Sequence, residues 1–418
     1  MTNSPNWPTR RLKFLATLND EALTEDTEPD YELLYIDIGN VDSLGRIHDI
    51  APYRFEAAPS RARRRVAEGD VIISTVRTYL EAIAPITEPP ENLVVSTGFA
   101  VVRPKLDELD PGFCKYALRE RRFMHEVVAR STGISYPAIN ASDLADIALP
   151  APPINIQRRI AAYLDTETER LDSLTSVKQR LLDLLAEKRR ALIARAITQG
   201  LNLKATLRDS GIPWLGEIPA HWNILRAKVL FREIDERSDT GEEVLLSLRM
   251  TKGLVPHNDV SEKVITPADL IGYKKAWPQQ IVINRMRAAS GLIAVVPQTG
   301  LVSPDYAVFE SVGEVNPEFF TYLFKTPLLQ AVFRSESKGL GTGQSGFLRL
   351  YSENFLSLHM PVPPIEEQRA ILQWVQIETK KLDDLAEATE RTVTLLRERR
   401  SALISAAVTG TLKVGNAN

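Results

Sequence analysis

The stretch Pro150-Ala-Pro-Pro-Ile-Asn-Ile-Gln-Arg-Arg-Ile160 returns as Pro361-Val-Pro-Pro-Ile-Glu-Glu-Gln-Arg-Ala-Ile371. The offset is 211 residues in a chain of 418. The match continues without a gap to Thr198 and Thr409, pairing Gln157 with Gln368, Leu171-Asp172 with Leu382-Asp383 and Leu185 with Leu396. A period of half the chain is far too long for a solenoid repeat; it reads as duplication of a domain plus a helix.

Working outward, each repeated block reads as one long helix. From Ile156 to Gln199 there is no Pro or Gly, and Leu, Ala, Glu, Arg and Lys dominate. Pro152-Pro153 suits the helix start, where a missing N–H costs nothing, and Gly200 suits its end. A rod of this length spans roughly 65 Å at 1.5 Å per residue. A 4-3 spacing picks out Ile160, Leu164, Glu167, Leu171, Leu174, Lys178, Leu181, Leu185, Lys188 and Leu192. The second block gives Ile371, Val375, Glu378, Leu382, Leu385, Thr389, Thr392, Leu396, Arg399 and Leu403. This is a coiled-coil seam broken by polar positions. A lone helix cannot bury such a stripe. The expected partner is its own copy, antiparallel through a pseudo-twofold axis, with the globular parts at opposite ends.

The globular parts precede the rods. They match more faintly, through Trp7…Arg11 with Trp222…Arg226 and Val71-Ile-Ile-Ser-Thr-Val-Arg77 with Ile281-Val-Ile-Asn-Arg-Met-Arg287. Short β-branched runs (Val71–Ile73, Leu93–Val95, Phe99–Val102, Val244–Leu246, Ile281–Ile283, Leu292–Val296) read as strands. Pro111 and Pro317 open short helices. The fold class is therefore α+β: two globular α/β domains, residues 1–150 and 206–360, with two long coiled-coil helices within 151–205 and 361–418.

Composition bounds the function. The chain is 44% hydrophobic and 25% charged, with net charge -3. That argues against coating nucleic acid or membrane by bulk charge. The single cysteine, Cys114, excludes an internal disulfide framework and fits a reducing cytoplasm. No apolar run is long enough to span a bilayer, and the N-terminal residues carry no apolar signal core. Local charge says more. Residues 1–150 hold 17 Lys/Arg against 23 Asp/Glu, and residues 151–205 hold 10 against 6. Basic residues cluster at Arg61, Arg63, Arg64 and Arg65, at Arg77, at Lys274-Lys275, at Arg285 and Arg287, and at Arg349. The first run precedes a Gly69-Asp70 turn, where an exposed loop could reach phosphates. The polar loops Ser131–Tyr136 and Gly339–Gly346 place Ser135, Tyr136, Gln344 and Ser345 where they could meet base edges or phosphates. The second loop lacks the Gly-Lys-Ser/Thr ending of a P-loop.

Catalytic signatures are missing. The five histidines are scattered, with no spacing suited to zinc. No Gly-x-Ser-x-Gly elbow and no Asn/Asp-Pro-Pro-Tyr/Phe element occurs. Pro29-Asp30 and Pro304-Asp305 lead into no metal-nuclease motif and read as turns. A self-contained methyltransferase or nuclease is the competing enzyme reading. A coiled-coil scaffold with two protein-binding domains is the competing structural one.

The doubled Pro-x-Pro-Pro-Ile-x-x-Gln-Arg before a long Leu/Arg helix resembles the specificity subunit of Type I restriction–modification systems. So does Asp209-Ser-Gly-Ile-Pro-Trp-Leu-Gly-Glu-Ile-Pro-Ala-His-Trp222, which is similar to the segment opening a target recognition domain there. The first half lacks that segment and starts near Trp7. The resemblance implies that 1–150 and 206–360 are target recognition domains on double-stranded DNA, each reading half of a bipartite, asymmetric site. It implies helices that set the spacer and dock two modification (methyltransferase) subunits, with a translocating restriction subunit joining for cleavage. The docking and coiled-coil candidates are Gln157, Arg158, Leu164, Leu171, Leu174, Leu181, Leu185 and Leu192, with Gln368, Arg369, Leu382, Leu385, Leu396 and Leu403. It also implies that this chain holds no cofactor, catalytic residue or metal, and that S-adenosylmethionine, ATP and magnesium sit on the partner subunits.

Overall fold

A computed structural model describes residues 7–133, 135–340 and 347–414. The doubled motif opens two long helices, Ile154–Gln199 and Ile365–Val408. Gly200 (φ 71°) and Gly410 (φ 78°) follow them in the left-handed region, where a side chain would be strained.

Contacts divide the chain into two compact units, and the division cuts through both helices. Unit 1 runs to Arg180 and resumes at Glu390; unit 2 is Leu181–Thr389. This differs from a reading in four consecutive blocks. The reason is packing: each globular core continues into the helix segments beside it. In unit 1, Ile160, Leu164, Ile404 and Ala407 share a core with Phe113 and Tyr116. In unit 2, Ala196, Ile197, Ile371 and Val375 share one with Trp222 and Phe319. Within each unit the two helix segments run antiparallel, as the ion pairs Asp172–Arg400 (2.8 Å) and Arg189–Asp383 (3.0 Å) fix. Each pair joins the repeat-equivalents of the other.

The globular parts repeat in topology. Each has a four-stranded antiparallel sheet with the same order. In unit 1 it is Ala16–Leu18, Phe99–Pro104, Val71–Ser74, Ile83–Pro85; in unit 2 it is Phe231–Ile234, Tyr306–Ser311, Ile281–Asn284, Ile293–Val295. Each part is closed by an antiparallel pair, Thr9–Arg11 with Ala148–Pro150 and Asn223–Arg226 with His359–Val362. That closure delivers the chain to the helix start. The remaining strands differ. Unit 1 adds a sheet of Ala51–Arg54, Glu32–Ile36, Leu93–Ser96 and Ala62–Arg65; unit 2 adds four separate strand pairs, Leu207–Asp209 with Glu217–Pro219, Leu246–Arg249 with Gly253–Pro256, Lys274–Ala276 with Gly300–Val302 and Lys338–Leu340 with Phe347–Arg349. The strand expected over Val244–Leu246 begins instead at Leu246 and runs to Arg249.

The motif's glutamine explains the attachment of domain to helix. The Gln157 amide donates to the carbonyls of Glu108 (2.9 Å) and Pro152 (2.8 Å), and its oxygen accepts from the N–H of Asp110 (2.9 Å). Gln368 does the same to Glu314, Pro363 and Asn316 (3.3, 2.8 and 2.9 Å). Both side chains are buried. Gln157 and Gln368, expected among the docking and coiled-coil residues, thus spend both amide hydrogens and one oxygen lone pair inside their own units. Arg158 and Arg369 are exposed, paired at 3.6 Å with Asp110 and at 2.6 Å with Glu366.

The helix faces need a correction. Leu164, Leu171, Leu185 and Leu396 are buried, and Leu181, Leu192, Leu382 and Leu403 are half-buried. Leu174 and Leu385, expected in the seam, stand 43% and 47% exposed. Buried Thr168 and half-buried Thr175 occupy the alternate positions, and Thr379 does so in the second helix. Two 4-3 phases share the series 164, 171, 178, 185 and differ by one residue in between. Threonine wins because it is small and satisfies its own hydroxyl, Thr168 to the Leu164 carbonyl (2.7 Å) and Thr175 to that of Leu171 (2.8 Å).

Replacing Gln157 with Leu leaves one buried N–H and two carbonyls short of a partner. We expect a loss of about 2 kcal/mol or more, seen as a lower unfolding midpoint by circular dichroism, and the same for Gln368→Leu. A midpoint unchanged in both variants would remove the clasp from this account. Arg400→Ala should cost about 3 kcal/mol, since both members of its pair are largely buried. Arg189→Ala should cost under about 1 kcal/mol, since its pair is solvated.

Candidate nucleic-acid interface

One construction recurs in both units. A strand of the four-stranded sheet ends in a turn carrying arginine: Ser74 leads to Arg77, and Asn284 leads to Arg287. Beside each turn lies a hairpin built from the small, polar loop. In unit 1, Thr132 bridges Ala138, and the Arg77 N–H donates to the Pro137 carbonyl (2.8 Å). The Ile139 N–H donates to Thr75 (2.9 Å). In unit 2, Lys338–Leu340 pairs with Phe347–Arg349, and the Leu350 N–H donates to Arg285 (2.9 Å). Gln344 and Ser345 lie outside the described residues.

In unit 1 this brings predicted residues together. The Arg77 guanidinium lies 4.8 Å from the centre of the Tyr136 ring. Tyr136 is 61% exposed, and Ser135 beside it is exposed too. Arg77 has φ 54°. A non-glycine residue there costs about 1–2 kcal/mol, which the two flanking backbone hydrogen bonds hold in place. The same turn exposes Tyr79 (58%) and Leu80 (41%). These two were not among the sequence candidates. An aromatic and a leucine two and three residues after an arginine, in a turn, are the signal that would have found them.

In unit 2, Arg287 is exposed on the equivalent turn, next to exposed Met286. Arg349 is held at 3.4 Å from Asp305 and lies 5.8 Å from the Tyr351 ring, at the base of the hairpin.

Other basic candidates take structural roles. Lys274 is 2% exposed, with Asp235 at 3.3 Å and Glu233 at 3.7 Å. A buried ammonium is tolerated only when paired, so this lysine is committed internally and does not face a phosphate. Arg285 bonds the same Glu233 and, at 3.0 Å, the Ser352 hydroxyl. Lys275 lies between Glu236 and Glu243. The Arg61 run is not a loop: Ala62–Arg65 is an edge strand with an irregularity between Ala62 and Arg64. Arg63 stacks on Phe55 at 4.5 Å. Arg64 is half-buried, and burial pulls its guanidinium below the usual arginine range. Arg65 reaches the Glu91 carbonyl at 3.4 Å. Arg61 remains exposed. An edge strand packs one face inward, which is why a run of arginines does not present one basic surface.

Among the described residues, no group of three or more His, Cys, Asp or Glu stands together as metal ligands. Cys114 is fully buried, and burial pushes its thiol above the ordinary range. No helix among them is long and apolar enough to cross a membrane.

Residues 59–182 match the family model for the Type I restriction modification DNA specificity domain. The chain is 21% identical to the putative type I restriction enzyme MjaX specificity subunit of Methanocaldococcus jannaschii, covering 98% of this chain and 94% of that one. It is 21% identical to the MjaVIII specificity subunit of the same organism, over 78% and 76% of the two chains. A chain solved in work on complex assembly and conformational transition of the type I R-M system shares the fold, with TM-score 0.78, 22% identity, and 99% and 100% coverage. The HsdS subunit from Thermoanaerobacter tengcongensis gives TM-score 0.55 at 22% identity, with 98% coverage of each chain.

The geometry separates two classes of cation. Arg77→Ala and Arg287→Ala should weaken duplex binding at every sequence and flatten its salt dependence. Lys275→Ala should leave that salt slope unchanged. Anisotropy titrations at several salt concentrations test this; an equal effect from all three would show that the turns hold no special place.

Proposed function

We propose that this chain, which belongs to the specificity subunits of Type I restriction–modification systems, reads a bipartite, asymmetric site in double-stranded DNA, one half with each unit. The carrying observation is that two units share one sheet order, one turn and one hairpin, while the side chains on them differ. A shared framework supplies phosphate contacts and register; differing side chains supply different base readout.

The two long helices set the spacer between the half-sites. They dock two modification subunits, and a restriction subunit joins for cleavage. Support comes from leucines exposed at matching positions of both helices: Leu174 with Leu385, and Leu184 with Leu395. A surface that repeats with the sequence suits two copies of one partner. The chemistry belongs to those partners. They hold S-adenosylmethionine, ATP and magnesium, and this chain is non-catalytic in the cytoplasm.

Two measurements test the reading. The purified chain with S-adenosylmethionine and DNA should transfer no methyl group, and adding modification subunits should restore transfer; activity from the chain alone would refute the division of labour. Removing matched helical turns from both helices should change the spacer and preserve both half-sites. Altered half-sites with an intact spacer would refute the ruler.

A further inference from the structure

The turns after Ser74 and Asn284 share a 3-10 turn and its closure but enter it differently, Arg77 being left-handed (φ 54°, ψ 49°) and Arg287 not (φ -122°, ψ 17°). Thr78–Leu80 and Ala288–Ser290 are each a single 3-10 turn. Each closes on a left-handed residue, Glu81 (φ 51°) and Gly291 (φ 77°), whose N–H returns to the carbonyl of Thr78 or Ala288. The first residue of each turn, Thr78 or Ala288, is buried. The next two differ sharply in kind. Unit 1 presents Tyr79 and Leu80, both exposed; unit 2 presents half-buried Ala289 and exposed Ser290.

Solvent-exposed apolar groups beside an arginine on a strained turn are costly unless a partner covers them. Leu80 offers a phosphate nothing and the Tyr79 hydroxyl is uncharged, so Arg77 is the stronger phosphate group of the turn. A phenol ring and a branched alkyl group suit base edges in a groove, both through apolar contact with a thymine methyl and the ring also through its hydroxyl. Arg77 is braced by its hydrogen bond to Pro137 and its stacking on Tyr136, and it is the exposed cation of the same turn.

We propose that Tyr79 and Leu80 are specificity-determining residues of unit 1. They contact bases of one half-site while Arg77 fixes register on the backbone. The assignment rests on the reading of this chain as a DNA specificity subunit. Unit 2 lacks such groups at the matching positions, so its turn contributes register through Arg287 and takes its base contacts from elsewhere.

Unit 2 also supplies the test variant, because its backbone holds Ala-Ser at those positions. The double substitution Tyr79→Ala with Leu80→Ser should fold. The full complex with its modification subunits is used, and methylated sites are mapped across a DNA library for wild type and variant. We expect discrimination at one or two base pairs of a single half-site to fall about tenfold. The other half-site, the spacer and the salt dependence of binding should be unchanged. Arg77→Ala in the same assay should reduce methylation at all sites alike. A variant that keeps the same site with the same stringency would overturn the assignment of Tyr79 and Leu80, and leave the specificity reading intact. A wild-type complex that methylates without sequence preference would overturn the specificity reading itself.

Discussion

The arrangement depends on two buried side-chain amides. Gln157 and Gln368 each fasten the first turn of a long helix to the loop that precedes a Pro-led domain helix. A buried amide with an unmet donor or acceptor is expensive, so a glutamine that meets all three demands selects one geometry strongly. The Pro-Pro before it removes backbone donors that would otherwise compete. The direction in which each helix leaves its domain is thus fixed at its base, before any packing along its length.

Along the helices, packing is shared between hydrophobic burial and small polar residues. The cores of both units extend into the helix segments beside them. Threonines between the leucines turn their hydroxyls back onto the preceding turn of their own helix. Leucines that such a helix does not bury, Leu174 and Leu385 among them, stay on its exposed face. The same economy operates in the basic residues. Lys274 and Arg285 bind their own strand carboxylates, which leaves Arg77 and Arg287 as the repeated, outward-facing cations on the turns.

Much of this was legible in the sequence. The gapless repeat gave the helices, and the motif's prolines and glycines marked their ends. The central strands followed from Val71–Ile73 and Ile281–Ile283. Side-chain roles were harder. Periodicity could not choose between Leu174 and Thr175, because the two phases differ by one residue and helix contact rewards small size as well as hydrophobicity. Charge runs could not reveal that Lys274 faces Glu233 and Asp235, since those partners lie some forty residues away in sequence. Gln157 looked like a surface polar residue because its three backbone partners leave no trace in residue type. Tyr79 and Leu80 leave no such trace either, because their exposure is set by the folded turn and not by residue type.

The crossed ion pairs make the repeat complementary to itself. Asp172 and Arg189 lie on the first helix, and Asp383 and Arg400 hold the same positions on the second. Every copy of the repeat therefore encodes both the acid and the base, and one sequence serves as both sides of the contact. A substitution at any of the four unbalances the match between the helices, whereas differences between the globular parts leave it intact.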